Sequence, residues 1–373
     1  MTEIYLIRHI QAEGNLYRAM QGQWDGGVTE LGLKQVDALA ERFREIPVDA
    51  LYASDLTRAC VTASAIQKTH PLPLRTDVRL REIDLGPWET RFFGDLKHEE
   101  PESIDCFIHA PYRWRLDGAE TYAEVGERAF AALEEIAREN EGKTVAVVSH
   151  GVTIRCLLIR ALGSEAVGGQ LIGGNTAVSH LLYDNGVFTA DYLNDAAHLA
   201  ALNVPVWEKT PDLRGEPLDP RREAEYYSAC YADAWRAAHG SLKGFSPEPY
   251  LRGAIDHHRA DPGAVLKIYD GDTPAGLIDM DPLRGAQLGA GWLSLLYLAP
   301  AYRDRGCGIQ LLGRVLMHYQ ALGRTALRLH VAEENRNALA FYRRWGFEEL
   351  SHESNALGRL LLMEKKLGGN GHV

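Results

Sequence analysis

The side chains best suited to chemistry in this sequence fall into two groups. The first is Arg8-His9, Arg58 after Ser54-Asp55-Leu56-Thr57, Glu82 within Leu80-Arg81-Glu82-Ile83-Asp84, and His150-Gly151. Arginine forks match phosphoryl oxygens and offset the charge that develops in transfer. A neutral histidine between them can attack phosphorus in line and split hydrolysis into two easier steps. The leaving oxygen then needs a proton, for which Glu82 is the candidate. Held close to another acid such as Asp84, or partly buried, its carboxyl keeps a raised pKa. An isolated Arg-His pair reads as a surface pair at a strand end, so the chemistry depends on the fold gathering all of these groups.

The second group is Leu298-Ala299-Pro300-Ala301-Tyr302-Arg303-Asp304-Arg305-Gly306-Cys307-Gly308, a strand end, a glycine-bearing turn and a helix start. Glycines allow close backbone approach to a phosphate, and the free N–H groups of a helix N-terminus bind anions. By itself such a turn is structural more often than functional. Downstream, Phe341, Tyr342 and Trp345 form an aromatic stripe at helical spacing; Phe341 and Trp345 are read as core packing. His257-His258 are read as surface, since adjacent helical residues face apart.

Strands are expected at 3–8, 49–53 and 144–149, alternating with helices at 30–45, 55–69, 121–140 and 151–162. This places Arg8 and His9 at the C-terminal end of a strand, where open α/β sheets bind ligands. Thr121 and Glu124 make a capping box, and Asp184-Asn185-Gly186 closes a hairpin between 177–183 and 187–192. Residues 203–220, with four prolines among charges, read as a linker. Beyond it come helices at 221–239 and 246–259, strands at 264–270, 274–281 and 290–298, a helix at 307–322, a strand at 325–331, a helix at 336–345 and a strand at 358–366. The tail from Gly368 is expected to be disordered.

A chain of 373 residues has room for two cores, and 46% hydrophobic with 24% charged residues is an ordinary globular balance. The net charge of -11 argues against nucleic-acid or anionic-membrane binding, so any anion must be held by a local basic cluster. Residues 1–9 lack the flank and apolar core of a signal peptide, and no stretch is long enough to cross a bilayer. Five cysteines, widely spaced and never as Cys-x-x-Cys, fit a reduced, cytoplasmic setting without structural zinc.

The first group, together with Asn15, Gln21-Gly22, Asp25, Thr29, Gly32, Gln35, Trp88-Glu89 and Asn194-Asp195, resembles the histidine phosphatase superfamily, also called phosphoglycerate mutase-like, over residues 1–202. The resemblance implies a three-layer α/β/α domain with His9 as phosphorylated nucleophile. It implies that Arg8, Arg58 and His150 hold the phosphoryl group, that Glu82 donates the proton, and that Asn15 and Gln21 line the substrate side, with no metal. The short stretch after Glu89 looks more like the phosphatase branches than the glycolytic mutases. One departure is Ile10, where the family has glycine. If the backbone there needs φ > 0, the β-branched residue costs about 1–2 kcal/mol and tilts His9. The carbonyl of residue 10, a partner for the second ring nitrogen of His9, survives the substitution.

Residues 221–367, with the Arg303–Gly308 turn and Asn335-Arg336-Asn337-Ala338-Leu339-Ala340-Phe341-Tyr342, resemble the GNAT superfamily of N-acetyltransferases. That implies a mixed-sheet domain using acetyl-CoA as acyl donor. Arg303, Arg305, Gly306 and Gly308 would cradle its pyrophosphate, backbone groups of Leu296 and Leu298 would pair with the pantetheine arm, Asn335 would contact it, and Tyr342 would protonate the departing thiolate. Glu333, Asp279, Asp281 or a water relay are candidates for the general base. The expected whole is a bifunctional α/β enzyme acting on a small phosphorylated metabolite and on an amine, either a small molecule or a peptide. The alternatives are an acetyltransferase fused to a phosphate-binding domain silenced by Ile10, and a phosphoglycerate mutase.

Overall fold

The computed structural model describes residues 1–167, 173–202, 210–355 and 358–367. The described chain divides into two compact units, one of residues 1–91 with 99–202 and one of residues 92–98 with 210–367. The linker expected over 203–220 lies outside the described residues as far as 209, as does the tail from Gly368. No helix among the described residues is long and apolar enough to cross a membrane.

The first unit contains β1 (Thr2–Arg8), α1 (Glu13–Tyr17), α2 (Glu30–Phe43), β2 (Ala50–Ala53), α3 (Thr57–Gln67) and β3 (Leu74–Thr76). Two helices follow, α4 (Phe93–Glu99), most of which is counted with the second unit, and α5 (Pro101–His109). Next come α6 (Tyr122–Glu139), β4 (Thr144–Ser149), α7 (Gly151–Leu162), α8 (Ser164–Val167), β5 (Val178–Asp184) and β6 (Val187–Asp195). The sheet order is β3-β2-β4-β1-β5-β6. The first four strands run parallel, and β5 and β6 add an antiparallel edge.

Side chains alternate across β1, so that Ile4 and Leu6 join the layer of α6 and α7 while Tyr5 and Ile7 join that of α2 and α3. Burial on both faces is why the central strands are apolar throughout. The capping box starts α6 as expected: Glu124 N donates to Thr121 Oγ1 and Thr121 N to the Glu124 carboxylate. In the β5–β6 hairpin Asn185 (φ 48°) and Gly186 (φ 86°) form the turn between the paired residues Asp184 and Val187. A two-residue turn with both φ positive matches the twist of the strands it joins.

The second unit contains β7 (Arg214–Pro217), α9 (Ala224–His239), α10 (Glu248–Ala260), β8 (Val265–Asp270), β9 (Thr273–Asp281) and β10 (Ala290–Leu298). It continues with α11 (Gly308–Ala321), β11 (Ala326–Ala332), α12 (Arg336–Arg344), β12 (Glu348–Asn355) and β13 (Gly358–Lys366). The mixed sheet runs β12-β13-β11-β10-β9-β8-β7. Sequence pattern missed β3, β7 and β12, all edge strands short of apolar alternation. Part of the expected linker is β7, whose Arg214–Pro217 pair with Leu266–Tyr269.

Ile10 is not strained. It lies outside the left-handed region, which among the described non-glycine residues holds Arg18, Thr90, Thr176, Asn185, Asn194 and Asp304. Its side chain is wholly buried in the layer with Val36, Leu39 and Phe43. Ile10→Gly is therefore expected to destabilise by at least the about 2–5 kcal/mol typical of Ile→Ala, read as a lower unfolding midpoint, and not to raise phosphate release.

Candidate active sites

The parallel register of β1 and β4 pairs Arg8 with Ser149, so His9 and His150 leave adjacent central strands at the same level. Their ring centroids are 5.1 Å apart. Arg58, at the start of α3 and fully buried, donates from Nε to His150 Nδ1 at 3.2 Å, which assigns the His150 proton to Nε2. The same guanidinium donates to the carbonyls of Gly22 (2.6 Å) and Trp24 (3.1 Å). Arg8 donates to Gly173 O at 2.5 Å. His9 Nδ1 lies 2.6 Å from Ile10 O, which can only accept, so Nε2 carries the free lone pair. The backbone partner expected for His9 is thus in place, and the tilt expected from Ile10 is not.

Burial, then the charges of Arg58 and Arg8, hold the His9 imidazole well below its usual range, against the opposing pull of the Ile10 carbonyl. His150 is lowered for the same reasons, with burial first and Arg58 next. Burial also lowers Arg58, to about 10. Two neutral imidazoles therefore sit beside two guanidiniums. Arg8 Nε, His150 Nε2 and both amide atoms of Gln21 are buried with no hydrogen-bond partner among the described residues. Buried polar atoms normally have partners, so Arg8 Nε and His150 Nε2, on residues beside His9, mark a place for a polar ligand.

Glu82 is nearly buried and accepts four hydrogen bonds. Its Oε1 takes Ile83 N (3.1 Å), Thr153 N (3.0 Å) and Thr153 Oγ1 (3.0 Å), and its Oε2 takes Val152 N (3.1 Å). It is thus seated on the N-terminus of α7, where amide donors are free. Of the two settings expected for Glu82, an acidic neighbour such as Asp84 or burial, the structure shows burial; Asp84 Oδ1 accepts from Gly86 N at 2.8 Å. Asn15 Oδ1 accepts from Ala12 N (3.1 Å) and Asn175 Nδ2 (3.4 Å).

Several supporting residues escaped the sequence reading. Asn175 Nδ2 donates to His9 O (3.0 Å), Thr62 Oγ1 accepts from Ile10 N (2.9 Å), and Glu89 accepts from the amides of Gly22, Gln23, Trp24 and Leu85. Glu89 was noticed only as part of a motif. No spacing rule connects residues so distant in sequence.

In the second unit β10 pairs with β11 only over Ala290–Leu293, and its register with β9 shifts between Leu293 and Leu295. Ala299 N donates to Ala275 O, on the β9 side. Strand alternation then aims the peptide groups of Leu296 and Leu298 at the opposite edge, where pairing with β11 has ended. The following turn has Asp304 (φ 57°) and Gly306 (φ 75°), and α11 begins at Gly308. A Cβ on Gly308 would stand 2.9 Å from the Phe341 ring, so this glycine serves helix packing. Arg303 is turned inward, donating to Leu298 O (2.8 Å) and Asp233 (2.7 Å), and Arg305 donates to Ala301 O (3.1 Å). Asn335 caps α12 by accepting from Ala338 N at 3.1 Å.

The aromatic stripe packs as a unit, Phe341 in ring contact with both Tyr342 and Trp345, but Tyr342 is its most buried member. Tyr342 is buried with Leu339, three residues apart on the inner face, while Phe341 and Trp345 are half-buried. Burial raises the Tyr342 phenol above its usual range. His257, expected at the surface, is instead held between two carboxylates, with Nδ1 2.7 Å from Asp279 and Nε2 3.4 Å from Asp281. Burial pulls its imidazolium down, but the hydrogen bond and charge of Asp279, with Asp281, win and raise it. Tyr227 Oη donates to the other oxygen of buried Asp279 at 2.7 Å. Glu333 pairs with His352 (2.6 Å) and Arg359 (3.5 Å).

Two neutral histidines beside two guanidiniums at the carboxyl ends of central parallel strands define the site of an α/β protein with a phosphoglycerate mutase-like fold. The chain belongs to the histidine phosphatase superfamily (branch 1), whose model matches residues 4–196, and the acetyltransferase (GNAT) family model matches residues 225–347, making the chain a fusion of the two. Both are families of enzymes. A probable phosphoglycerate mutase GpmB of Proteus mirabilis is 32% identical over 205 residues, covering 53% of this chain and 95% of that protein. One from Yersinia pestis is 34% identical over 163 residues, 44% of this chain and 76% of that protein. The solved structure of Bacillus stearothermophilus YhfR is 30% identical with a TM-score of 0.51, spanning 53% of this chain and all of that one.

The buried neutral histidines make stability depend on pH. In the unfolded chain a histidine protonates near about 6.5. His9 and His150 stay neutral in the fold to well below that, so the stability they permit is full above the unfolded value and is lost as pH falls below it. Each contributes a slope of at most about 1.4 kcal/mol per pH unit. His9→Gln is expected to make the acid side of the unfolding-midpoint profile measurably shallower; an unchanged slope between pH 6.5 and 5 would show that His9 is protonated in the fold.

Proposed function

We propose that the chain is a bifunctional enzyme, a phosphomonoester hydrolase working through a phosphohistidine and an acetyl-CoA-dependent N-acetyltransferase. The observation that carries the first activity is the pair of unpartnered buried donors, Arg8 Nε and His150 Nε2, on residues beside His9, whose Nε2 lone pair is free. In this reading His9 Nε2 attacks phosphorus and the P–O ester bond breaks. Its electron pair leaves on the alcohol oxygen, which takes a proton from Glu82. The positive charge gained by the ring is stabilised by the bond from Nδ1–H to Ile10 O. Arg8, Arg58 and His150 Nε2–H take the three phosphoryl oxygens. Water then attacks the phosphohistidine while Glu82 takes its proton back, releasing phosphate and free His9.

The substrate class is a small phosphorylated metabolite, with no metal required. A phosphoglycerate is favoured by the names of the relatives above, and on such an ester a mutase would return the phosphoryl group to a second hydroxyl, which product analysis distinguishes from release of phosphate.

For the second activity, the support is the edge along Leu296 and Leu298 together with the turn at 303–308 and the N-terminus of α11, which suit an extended pantetheine arm and its pyrophosphate. Acetyl-CoA supplies the thioester. Tyr342, kept neutral by burial, would protonate the thiolate. Among the candidate acids Asp279 and Asp281 are the two joined to an imidazole, so the carboxylates around His257 are the proton acceptors we favour for the amine. Arg303 braces the strand end and does not take part as a free cation.

Phosphate release from p-nitrophenyl phosphate without added metal is expected, with His9→Ala lowering it at least about 10³-fold. Acid-labile label from a ³²P-ester should be retained on wild type after rapid quenching and missing from the variant. Turnover equal in both proteins would refute the histidine chemistry. Acetyl-CoA alone is expected to raise the midpoint of one unfolding transition, as a ligand bound to the native state must; no shift at millimolar acetyl-CoA would reject the second activity.

A further inference from the structure

We propose that Arg128 and Glu120 form a clamp that sets the Glu82 carboxyl for proton delivery, making Arg128 a positioning residue for hydrolysis. The proposal rests on the phosphohydrolase reading above. Arg128 projects from α6, and all five of its N–H donors are accounted for. Nε donates to Glu120 Oε1 (2.7 Å) and Nη2 to Glu120 Oε2 (2.7 Å). Nη1 donates to the carbonyls of Arg79 (2.8 Å) and Arg81 (2.7 Å), and Nη2 to that of Glu82 itself (2.9 Å). Glu120 Oε2 also accepts from Asp84 N at 2.8 Å. The backbone on both sides of Glu82 is thus fastened to one planar ion pair.

Residues 81–85 belong to neither a strand nor a helix, so no ladder holds them. Asp84 O is met by Glu120 N (2.9 Å), Leu85 O by Trp88 N (3.0 Å) and, just before the segment, Leu80 O by Ser149 Oγ (2.8 Å), while Arg128 donates to Arg81 O and Glu82 O. With its donors spent, Arg128 has none for a phosphoryl oxygen; its hydrogen bonds act on the Glu82 segment, and its charge, which also bears on His150, is kept by a lysine. A lysine keeps the charge but has three donors in a compact head, which cannot span two carboxylate oxygens and three carbonyls. The carboxyl then shifts, and displacements near 1 Å can cost about 10²-fold in rate.

The leaving group separates this role from a structural one. Nitrophenolate departs with its electron pair and needs little proton donation, whereas the alkoxide of a glycerol ester must receive the Glu82 proton as the P–O bond breaks. Because kcat/KM covers only steps through departure of the alcohol, it isolates that transfer from the later attack of water. The test compares kcat/KM for p-nitrophenyl phosphate and β-glycerophosphate in wild type, Glu82→Gln, Arg128→Lys and the double variant. Arg128→Lys is expected to lose at least about 30-fold on β-glycerophosphate and under about fivefold on p-nitrophenyl phosphate. The double variant should show no wider gap between the esters than Glu82→Gln alone, since both changes act on one group. Equal losses on both esters, or no loss on either, overturn the clamp. If Arg128→Lys does not fold, Glu120→Gln, which keeps the three carbonyl bonds, is put through the same comparison with the same two outcomes. Failure of the hydrolase reading looks different: wild type and His9→Ala would match on both esters, and the clamp falls with it.

Discussion

The register between β1 and β4 is the constraint on which the first site depends. Pairing Arg8 with Ser149 puts the two histidines at neighbouring strand ends, and the wholly apolar interior of both strands holds that pairing in place. A slip of one residue would move every β1 side chain to the opposite layer and send His9 away from His150. The apolar layers above and below the sheet therefore determine where the charged groups can meet.

Having gathered two arginines and two histidines in a buried place, the fold must manage their charge. Arg58 is offset through the carbonyls of Gly22 and Trp24 and the nearby carboxylate of Asp25, 3.8 Å away. The imidazoles meet the same problem by staying neutral, and that neutrality is what leaves a lone pair on His9 for chemistry. Segments without regular structure need another kind of support. The 21–24 loop hangs on Glu89 and the 79–84 segment on Arg128 and Glu120, each a charged side chain satisfying several backbone groups at once.

The second unit uses a different device. A register shift in β10 and the early end of its pairing with β11 leave a strand edge inside the sheet, which ordinary sheets avoid exposing. The next turn converts that edge into a helix N-terminus. Arg303 ties strand and turn together through Leu298 O, and His257 with Asp279 and Tyr227 forms a buried polar network on the neighbouring strand.

How much of this was legible beforehand follows from the range of each interaction. Local patterns read correctly: alternation and periodicity in the central strands and main helices, the Thr121–Glu124 cap, the Asn185-Gly186 turn, and the two families. Edge strands such as β3 and β7 lacked the apolar run that buried strands require. Three readings turned on tertiary contacts. Ile10 suggested strain because its family position holds glycine, but its backbone is ordinary and its side chain fills core. Glu82 was given an acidic neighbour or partial burial, and the fold chooses burial, seating it on α7. His257 looked exposed until the sheet brought Asp279 and Asp281 against it. The sequence by itself determined which residues are chemically competent and which elements carry them, because those properties are local. Only the tertiary structure decided protonation, orientation and support, because each is set by burial and by partners tens to more than a hundred residues away.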